Sequence, residues 1–566
     1  MGAQTVAEAL EVATGLMVIG ETGRIKAPSI RGTGNKHTLV LIDGRRFSMG
    51  YKDFLDINQI SVDMIKRIEV VRGPTSALYG SDAIGGVVNI ITKKPPRDLA
   101  AGATYQYGIS KYSEGEEHIG RAYVGDSLGR FGFLLAGGCR NKDGWDRDEV
   151  LPDDGDHEEL GSVDGRFSFN LNDNHSLLAG FEYRDMDREG MRFYSNLDRE
   201  RSAEDKRLGY FLQYDAKLSV LNNLMLRAYH SEHENEIEFL PTALVTGEEN
   251  AKRKLNQIEG RFTGAFLDKH ILIVGSEFRE ESREDETGRD DDLDNFSFYL
   301  QDEYQVFDPL YLVLGVRFDE HSEFGSKWTP RASMIYSFFN NLRLKASYGC
   351  GFRAPSISEL FVTSYRKRGK WIYEPNPDLD PEESESYEVG IEGEYKKFWG
   401  RITGFRNEIE DLIEAVYYKS TGTGKKKKDY YRYQNIAEAT MEGVELESGL
   451  NLPLNFSISG NLTYLETEDK KTGRDLEGQP DYKGYLKLGY HHSEFGLRAN
   501  IRMAYIGERY YESGIQDAYS LYHCYLSKEL FQRFTLFAGV NNIFNKMDND
   551  VYIEPTFYYA GVTISY

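Results

Sequence analysis

From about Ala100 onward, apolar and polar residues alternate with period two. In Glu385 to Lys396, Tyr387, Val389, Ile391 and Tyr395 share one side, opposite Ser386, Glu388, Glu392 and Glu394. Leu310, Leu312, Leu314, Val316 and Phe318 share another face, with Arg317 and Asp319 pointing away. Val444, Leu446 and Leu450 oppose Glu445 and Glu447. Successive side chains of a strand point to opposite faces, so this pattern predicts half-buried strands. A soluble sandwich alternates in the same way, so the period alone does not choose the class.

The first 97 residues read differently. Near-continuous apolar runs at Thr38 to Ile42, Ile65 to Val71 and Val87 to Thr92 are separated by turns at Asp43-Gly44, Arg72-Gly73-Pro74 and Gly85-Gly86. Such runs predict strands buried on both faces, in a small mixed α/β domain. Thr5 to Ala13 predicts a short helix with Val6, Leu10 and Ala13 on one face. The basic, Pro-rich Lys93 to Arg97 closes this unit. The expected domains are 1–97 and 98–566.

The connections decide the class. About 22 strands fit in the second domain, at a strand length usual for outer-membrane barrels. Short connections fall near 127–129, 172–174, 221–223, 268–269, 308–309, 340–341, 452–453 and 492–493. Long ones fall between them, at 141–160, 187–206, 234–254, 281–294, 350–384, 419–430 and 466–481. Tight turns at one end and long loops at the other are the mark of a transmembrane barrel. No blade repeat of a propeller is present. The last residues, Tyr558, Ala560, Val562, Ile564 and Tyr566, alternate up to a terminal aromatic, as a closing barrel strand would.

Composition sharpens this reading. The chain has 566 residues, 68 Lys+Arg against 91 Asp+Glu, and a net charge of −23, which argues against a nucleic-acid partner. No apolar run approaches the roughly 18 residues of a spanning helix. Three cysteines make no disulfide framework. Hydropathy alone suggests a soluble protein. Yet 39 Tyr and 56 Gly beside 15 Pro suit a barrel in which only every second strand residue is apolar.

Several motifs resemble those of the TonB-dependent outer-membrane receptors. In the first domain they are Ile30-Arg31-Gly32, Thr38-Leu-Val-Leu-Ile-Asp-Gly-Arg45 and the long Ile68-Glu-Val-Val-Arg-Gly-Pro-Thr-Ser-Ala-Leu-Tyr-Gly-Ser-Asp-Ala-Ile-Gly-Gly-Val-Val-Asn-Ile-Ile-Thr92. The second domain adds Gly351-Phe-Arg-Ala-Pro-Ser356, Asn376-Pro-Asp-Leu-Asp-Pro-Glu-Glu-Ser384 and Gly539-Val-Asn-Asn-Ile-Phe544. The resemblance covers essentially the whole chain and is strongest to the group of ferric enterobactin, colicin I and cobalamin receptors. It implies an N-terminal plug inside an all-β barrel of about 22 antiparallel strands, in the bacterial outer membrane, as a monomer among lipopolysaccharide and lipid. It also implies active import of a large solute, driven through TonB. A lumen this wide needs a separate domain to close it.

A plug in a polar lumen is expected to hold itself by charge. Arg31, Glu69 and Arg72 lie in plug motifs, and Glu445 faces the lumen by parity. The expected cluster joins Arg31 and Arg72 to lumen carboxylates including Glu445. The resemblance also implies a TonB box and a signal peptide. The chain enters the plug at Thr5 with neither ahead of it, so as written it is expected to bind but not to couple.

The resemblance places the solute on plug apices, 20–29 and 46–56, and on outer loops. Candidate contacts are Arg24, Lys26, Arg46, Tyr51 and Lys52, with Tyr365, Arg366, Lys367, Arg368, Lys370, Trp371 and Tyr373 from a loop. Cations mixed with aromatics suit an anionic, aryl-bearing ferric siderophore of catecholate type. Lys425 to Lys428 reads as solvated loop charge. Cobalamin is the alternative, with Ca²⁺-ordered loops. Asp143, Asp146, Asp148, Asp153, Asp154 and Asp156 crowd one loop, and Asp290, Asp291, Asp292 and Asp294 another, without EF-hand spacing. The acidic surface also suits lipopolysaccharide bridged by divalent cations.

Haem-uptake members carry a histidine between the two barrel motifs, and none lies between Phe352 and Leu379. His37 reads as structural, while His230 and His233 offer two imidazoles for a metal. No nucleophile elbow, zinc-ligand spacing or phosphate loop is present, so no enzyme is expected. Gly80 to Gly85 lacks the Lys-[Ser/Thr] of a P-loop. A passive porin is disfavoured by the plug.

Overall fold

A computed structural model describes residues 4–21, 25–47, 55–73, 75–112, 115–146, 155–194, 197–240, 250–286, 288–366, 370–511, 514–547 and 553–566. Helix α1 (Val6–Glu11) starts at Thr5, whose hydroxyl accepts from the Glu8 amide at 3.2 Å and satisfies one of the free N-terminal donors. Val6, Ala7 and Leu10 form its buried face.

Strands β1 (Leu16–Glu21) and β2 (Ile25–Ile30) make a hairpin. β3 (Thr38–Ile42), β4 (Arg45–Arg46), β5 (Ile65–Arg72) and β6 (Gly86–Thr92) form a sheet in the order β4-β3-β6-β5, with β3 and β6 parallel. A short helix α2 (Ser76–Tyr79) joins β5 to β6. Every residue of β3 is buried, which is why its sequence is continuously apolar. Val6, Leu10, Leu16, Ile30, Val40, Phe47, Ile57, Val88 and Ile90 share one apolar core.

The rest of the chain closes a barrel of 22 antiparallel strands, from Ala100–Ser110 to Phe557–Ser565, which pair with each other. Two short strands, Ser364–Arg366 and Trp371–Glu374, extend the wall; the second runs parallel to Lys428–Asn451. Side chains alternate in and out along each strand. Arg317 and Asp319 face inward and are fully buried against the plug, whereas Leu314 and Val389 are about half exposed on the outer wall. Short turns occupy one rim, the periplasmic one in such barrels, and long connections the other.

Four of the seven long connections, 187–206, 234–254, 281–294 and 419–430, are shorter than the sequence suggests, while 141–160, 350–384 and 466–481 fall close to the observed gaps between barrel strands. The strand His270–Asp285 is followed at once by Asp290–Phe307, and His175–Tyr194 by Leu197–Lys217. Likewise Asn223–Leu240, Ala251–Phe266, Phe398–Thr421 and Lys428–Asn451 extend into stretches whose sequence suggests loops. There the outward positions carry charge, as in Glu232 opposite Lys254 and Glu234 opposite Lys252. Alternation between charged and buried polar residues has no hydrophobic period, so these strand ends are invisible to it.

Candidate functional site

Polar contacts join plug to barrel at several places among the described residues, Arg188–Asp56 and Arg45–Glu182 among them, and three groups bear on the site. The first centres on Glu445, buried in the strand Lys428–Asn451. Arg31 donates Nε and Nη2 to the two Glu445 oxygens, each at 2.9 Å, and Nη1 to Glu388 at 2.8 Å. Its guanidinium also lies 4.1 Å from the Phe405 ring centre. Arg72 lies 3.6 Å from Glu445 and donates to Glu447 at 3.0 Å. Both plug arginines therefore meet lumen carboxylates. Glu69 does not join them. It points away along β5 and pairs with Arg67 at 2.6 Å in an exposed position, because strand parity sets Glu69 and Arg72 on opposite faces. Glu388 and Glu447 complete the cluster instead.

Close backbone approach makes this cluster possible. Gly15 has φ of 65°, and a Cβ there would sit 2.0 Å from Glu445 Oε1. Its amide donates to Thr463 and its carbonyl accepts from the Arg31 amide at 2.7 Å. Only glycine fits both the backbone angle and the space.

The second group ties together three motifs far apart in sequence. Arg353 donates to Glu382 and Glu359, all three side chains being buried. Lys36 reaches Glu359 at 2.9 Å and His37 reaches Glu382 at 2.5 Å. Glu359 lies in helix α3 (Ile357–Phe361), which opens with a capping box between Ser356 and Glu359. Burial works against ionising Glu359, yet the cations of Arg353 and Lys36 hold its pKa down at about 2. The Asp82 amide donates to the Phe352 carbonyl at 3.1 Å, and the Ala354 amide to Ser81 Oγ at 3.0 Å. These motifs staple the outer segment 354–361 onto the plug, and His37 serves as one staple.

The predicted solute contacts fall in separate places. Lys26 is engaged by Glu554 at 3.2 Å, so its charge is already matched. Arg46 is buried, donating to Asp82 at 2.7 Å and to the carbonyls of Tyr79 and Ser81. Tyr365 is exposed. Tyr373 is buried and stacks on Tyr431 at 4.9 Å, and Trp371 packs on the same ring at 5.5 Å. Both brace the wall extension rather than stand open. Lys370 is exposed beside them. Arg24, Tyr51, Lys52, Lys367 and Arg368 lie outside the described residues, as does the Arg366 side chain. Lys427 pairs with Asp429 at 2.8 Å.

Of the proposed calcium loop, Asp148, Asp153 and Asp154 lie outside the described residues. Asp143 sits 3.4 Å from His157, Asp146 is half-buried, and Asp156 is buried. Another carboxylate group, Asp185, Asp187 and Glu204, has ligand atoms within 4.8 Å of one another on the outward wall. His230 and His233 do not converge. His230 faces outward to Asn256 at 2.7 Å, while His233 is buried inward against Asp205 at 3.1 Å, because an odd separation in a strand changes face.

The third group lines a cavity of about 120 Å³ between the outer side of the plug and the barrel wall. Plug residues Thr38, Val40, Arg46 and Phe47 form its floor, and Ala354 to Ile357 lie against it. Arg253, Arg279 and Arg283 join Arg46 there, beside the carboxylates Asp82 and Glu281. Asn295 and His321 complete the polar wall. Sequence reasoning misses these wall residues. Their one signal is parity: Arg253, Arg279, Arg283 and Asn295 all hold inward positions, on strand ends that lack a hydrophobic period.

A plugged 22-strand barrel with this cross-bracing defines a class, and sequence comparison agrees. Residues 97–543 match the family described as TonB dependent receptor-like, beta-barrel, and residues 1–87 match the TonB-dependent Receptor Plug Domain. The chain belongs to the TonB-dependent receptors, a family of outer-membrane receptors and transporters. Among curated relatives, the vitamin B12 transporter BtuB of Photobacterium profundum is 27% identical over 591 residues, covering 100% of this chain and 90% of that protein. Among solved structures, a mutant ferric enterobactin receptor PfeA of Pseudomonas aeruginosa superposes with a TM-score of 0.87 at 20% identity, covering 100% of this chain and 96% of that one. The siderophore receptor PirA of Acinetobacter baumannii gives 0.86 at 21% identity, with the same coverage.

Proposed function

We propose that the protein binds a ferric siderophore of catecholate type at its outer face and imports it to the periplasm with energy delivered through TonB. The observation that carries this reading is the arginine-lined cavity. Arg46, Arg253, Arg279 and Arg283 gather over the plug; Arg46 pairs with Asp82 and Arg279 with Glu281, yet the arginines outnumber these two lining carboxylates, in a chain whose net charge is −23. Ferric catecholates are polyanions, and clustered guanidiniums on a low-dielectric wall attract them. The receptors PfeA and PirA, which share the fold, are named for siderophores. In this reading the protein acts as a monomer, in a leaflet of lipopolysaccharide, and performs no bond chemistry.

A second reading, cobalamin import, is favoured by the full-length match to a vitamin B12 transporter. Cobalamin lacks the multiple negative charge that suits this surplus of guanidiniums over lining carboxylates. Tryptophan-fluorescence titration of the purified protein with ferric enterobactin and with cyanocobalamin separates the two. Saturable quenching by ferric enterobactin is expected. Saturation by cyanocobalamin alone would reverse the assignment.

A further inference from the structure

A second cavity, of about 750 Å³, lies on the periplasmic side of the plug hairpin formed by β3 and β4. The body of β3 and β4 faces the outer cavity, and the turn between them, Asp43-Gly44, faces this lower one. The barrel side is built from Arg166, Gln213, Arg227 and Arg261, near the short-turn ends of four strands. The plug side includes Lys66, Lys93 and Lys94.

The charge of this chamber is one-sided. Seven lining residues are lysine or arginine, and one, Asp43, is acidic. Some of these cations are already matched. Arg166 pairs with Glu182 at 2.6 Å, and Arg67 with Glu69. Arg227 pairs with Glu259 at 2.5 Å and donates to the carbonyls of Asp43 and Gly44 at 2.8 and 2.9 Å. Lys66, Lys94 and Arg261 are exposed to the chamber and have no ion-pair partner among the described residues. Grouping unmatched like charges around one cavity concentrates anions there.

We propose that this chamber is a second anion-binding station, which receives the anionic solute after it passes the β3–β4 hairpin and before it leaves for the periplasm. The inference rests on the reading of an anionic solute. Arg227 has a part beyond charge. It holds the hairpin turn by two carbonyls, so the wall that would attract the solute also latches the segment separating the two cavities.

The test uses the full chain, with Cys139, Cys350 and Cys524 replaced by serine and a fluorophore attached at Gln213→Cys. Iodide is expected to quench this reporter on the order of tenfold more efficiently than thallium(I), as electrostatic focusing predicts. The triple variant K66E/K94E/R261E should bring the two quenchers to parity, while the affinity for ferric enterobactin at the outer face stays unchanged. Cells making the triple variant should take up ferric enterobactin several-fold more slowly. Equal quenching by iodide and thallium(I) in the unreversed chain overturns the station. Unchanged uptake by the triple variant overturns its place on the route. Absence of ferric enterobactin binding with the iodide preference intact would overturn the solute reading and leave the anion site standing.

Discussion

Arg31 of the plug and Glu445 of the barrel, 414 residues apart along the chain, meet through two parallel hydrogen bonds of 2.9 Å. Both side chains are almost wholly buried, 4% and 2% exposed. The fork geometry of guanidinium and carboxylate makes this a directional contact, set for one docked position of the plug.

Removing one partner should therefore do more harm than removing both. Arg31→Met leaves the Glu445 carboxylate with Arg72, at 3.6 Å, as its remaining ion-pair partner among the described residues. A loss on the order of 3–5 kcal/mol is expected for breaking a buried pair from one side. The double variant R31M/E445L should recover much of it. Urea midpoints of plug release, read with planar-bilayer conductance, would check the cycle.

Gly15→Ala should mimic the loss of the pair without touching a charge. Its Cβ would lie 2.0 Å from Glu445 Oε1, and its φ of 65° is costly for alanine. Raised resting conductance with an intact barrel signal is expected. Conductance equal to that of the unmodified chain would remove the close-approach argument.

Acid should release the outer segment in a defined window. Glu359 has its pKa lowered to about 2 from 4.5, so its contribution is present above the unfolded value and lost as pH falls through the folded one. Hydrogen exchange at 357–361 should stay slow at pH 5 and rise between about pH 4.5 and pH 2. Glu359→Gln should exchange fast at every pH.

The plug helix α1 should show the opposite sign. Burial pushes the Glu8 carboxyl up to about 7, with Glu11 adding to the rise. A raised folded pKa gives stability that is full below the unfolded value and lost as pH rises through 7. Protection of residues 6–11, corrected for intrinsic exchange, should fall from pH 5 to pH 8. Glu8→Gln should abolish that dependence.

In the outer cavity, Arg279→Gln and Arg283→Gln should each weaken ferric enterobactin by about tenfold, the usual worth of a hydrogen bond to a charged group. Added salt should narrow the difference. Titrations at two ionic strengths would decide, and unchanged affinity would direct attention to the loops outside the described residues.

Much of this molecule is legible in one dimension. The lipid-facing alternation of Leu310 to Phe318 and of Tyr387 to Tyr395 sets the barrel class, and the apolar run of β3 sets the buried plug sheet. Arg31, Arg72 and Glu445 can be named as partners because each sits in a motif or at a parity-defined inward position. Local rules carry these readings: period, turn spacing and side-chain direction depend only on near neighbours.

Tertiary structure alone decides the rest. Glu69 shares a motif with Arg72 but leaves the cluster, since three residues along a strand reverse the face. Arg253, Arg279 and Arg283 reach one cavity only because adjacent strands bring them into register, and Lys66, Lys94 and Arg261 meet only because the plug docks against one sector of the wall. Long-range pairing is set by the closure of the barrel around the plug. A sequence records which side a residue faces, and closure determines which residues it faces.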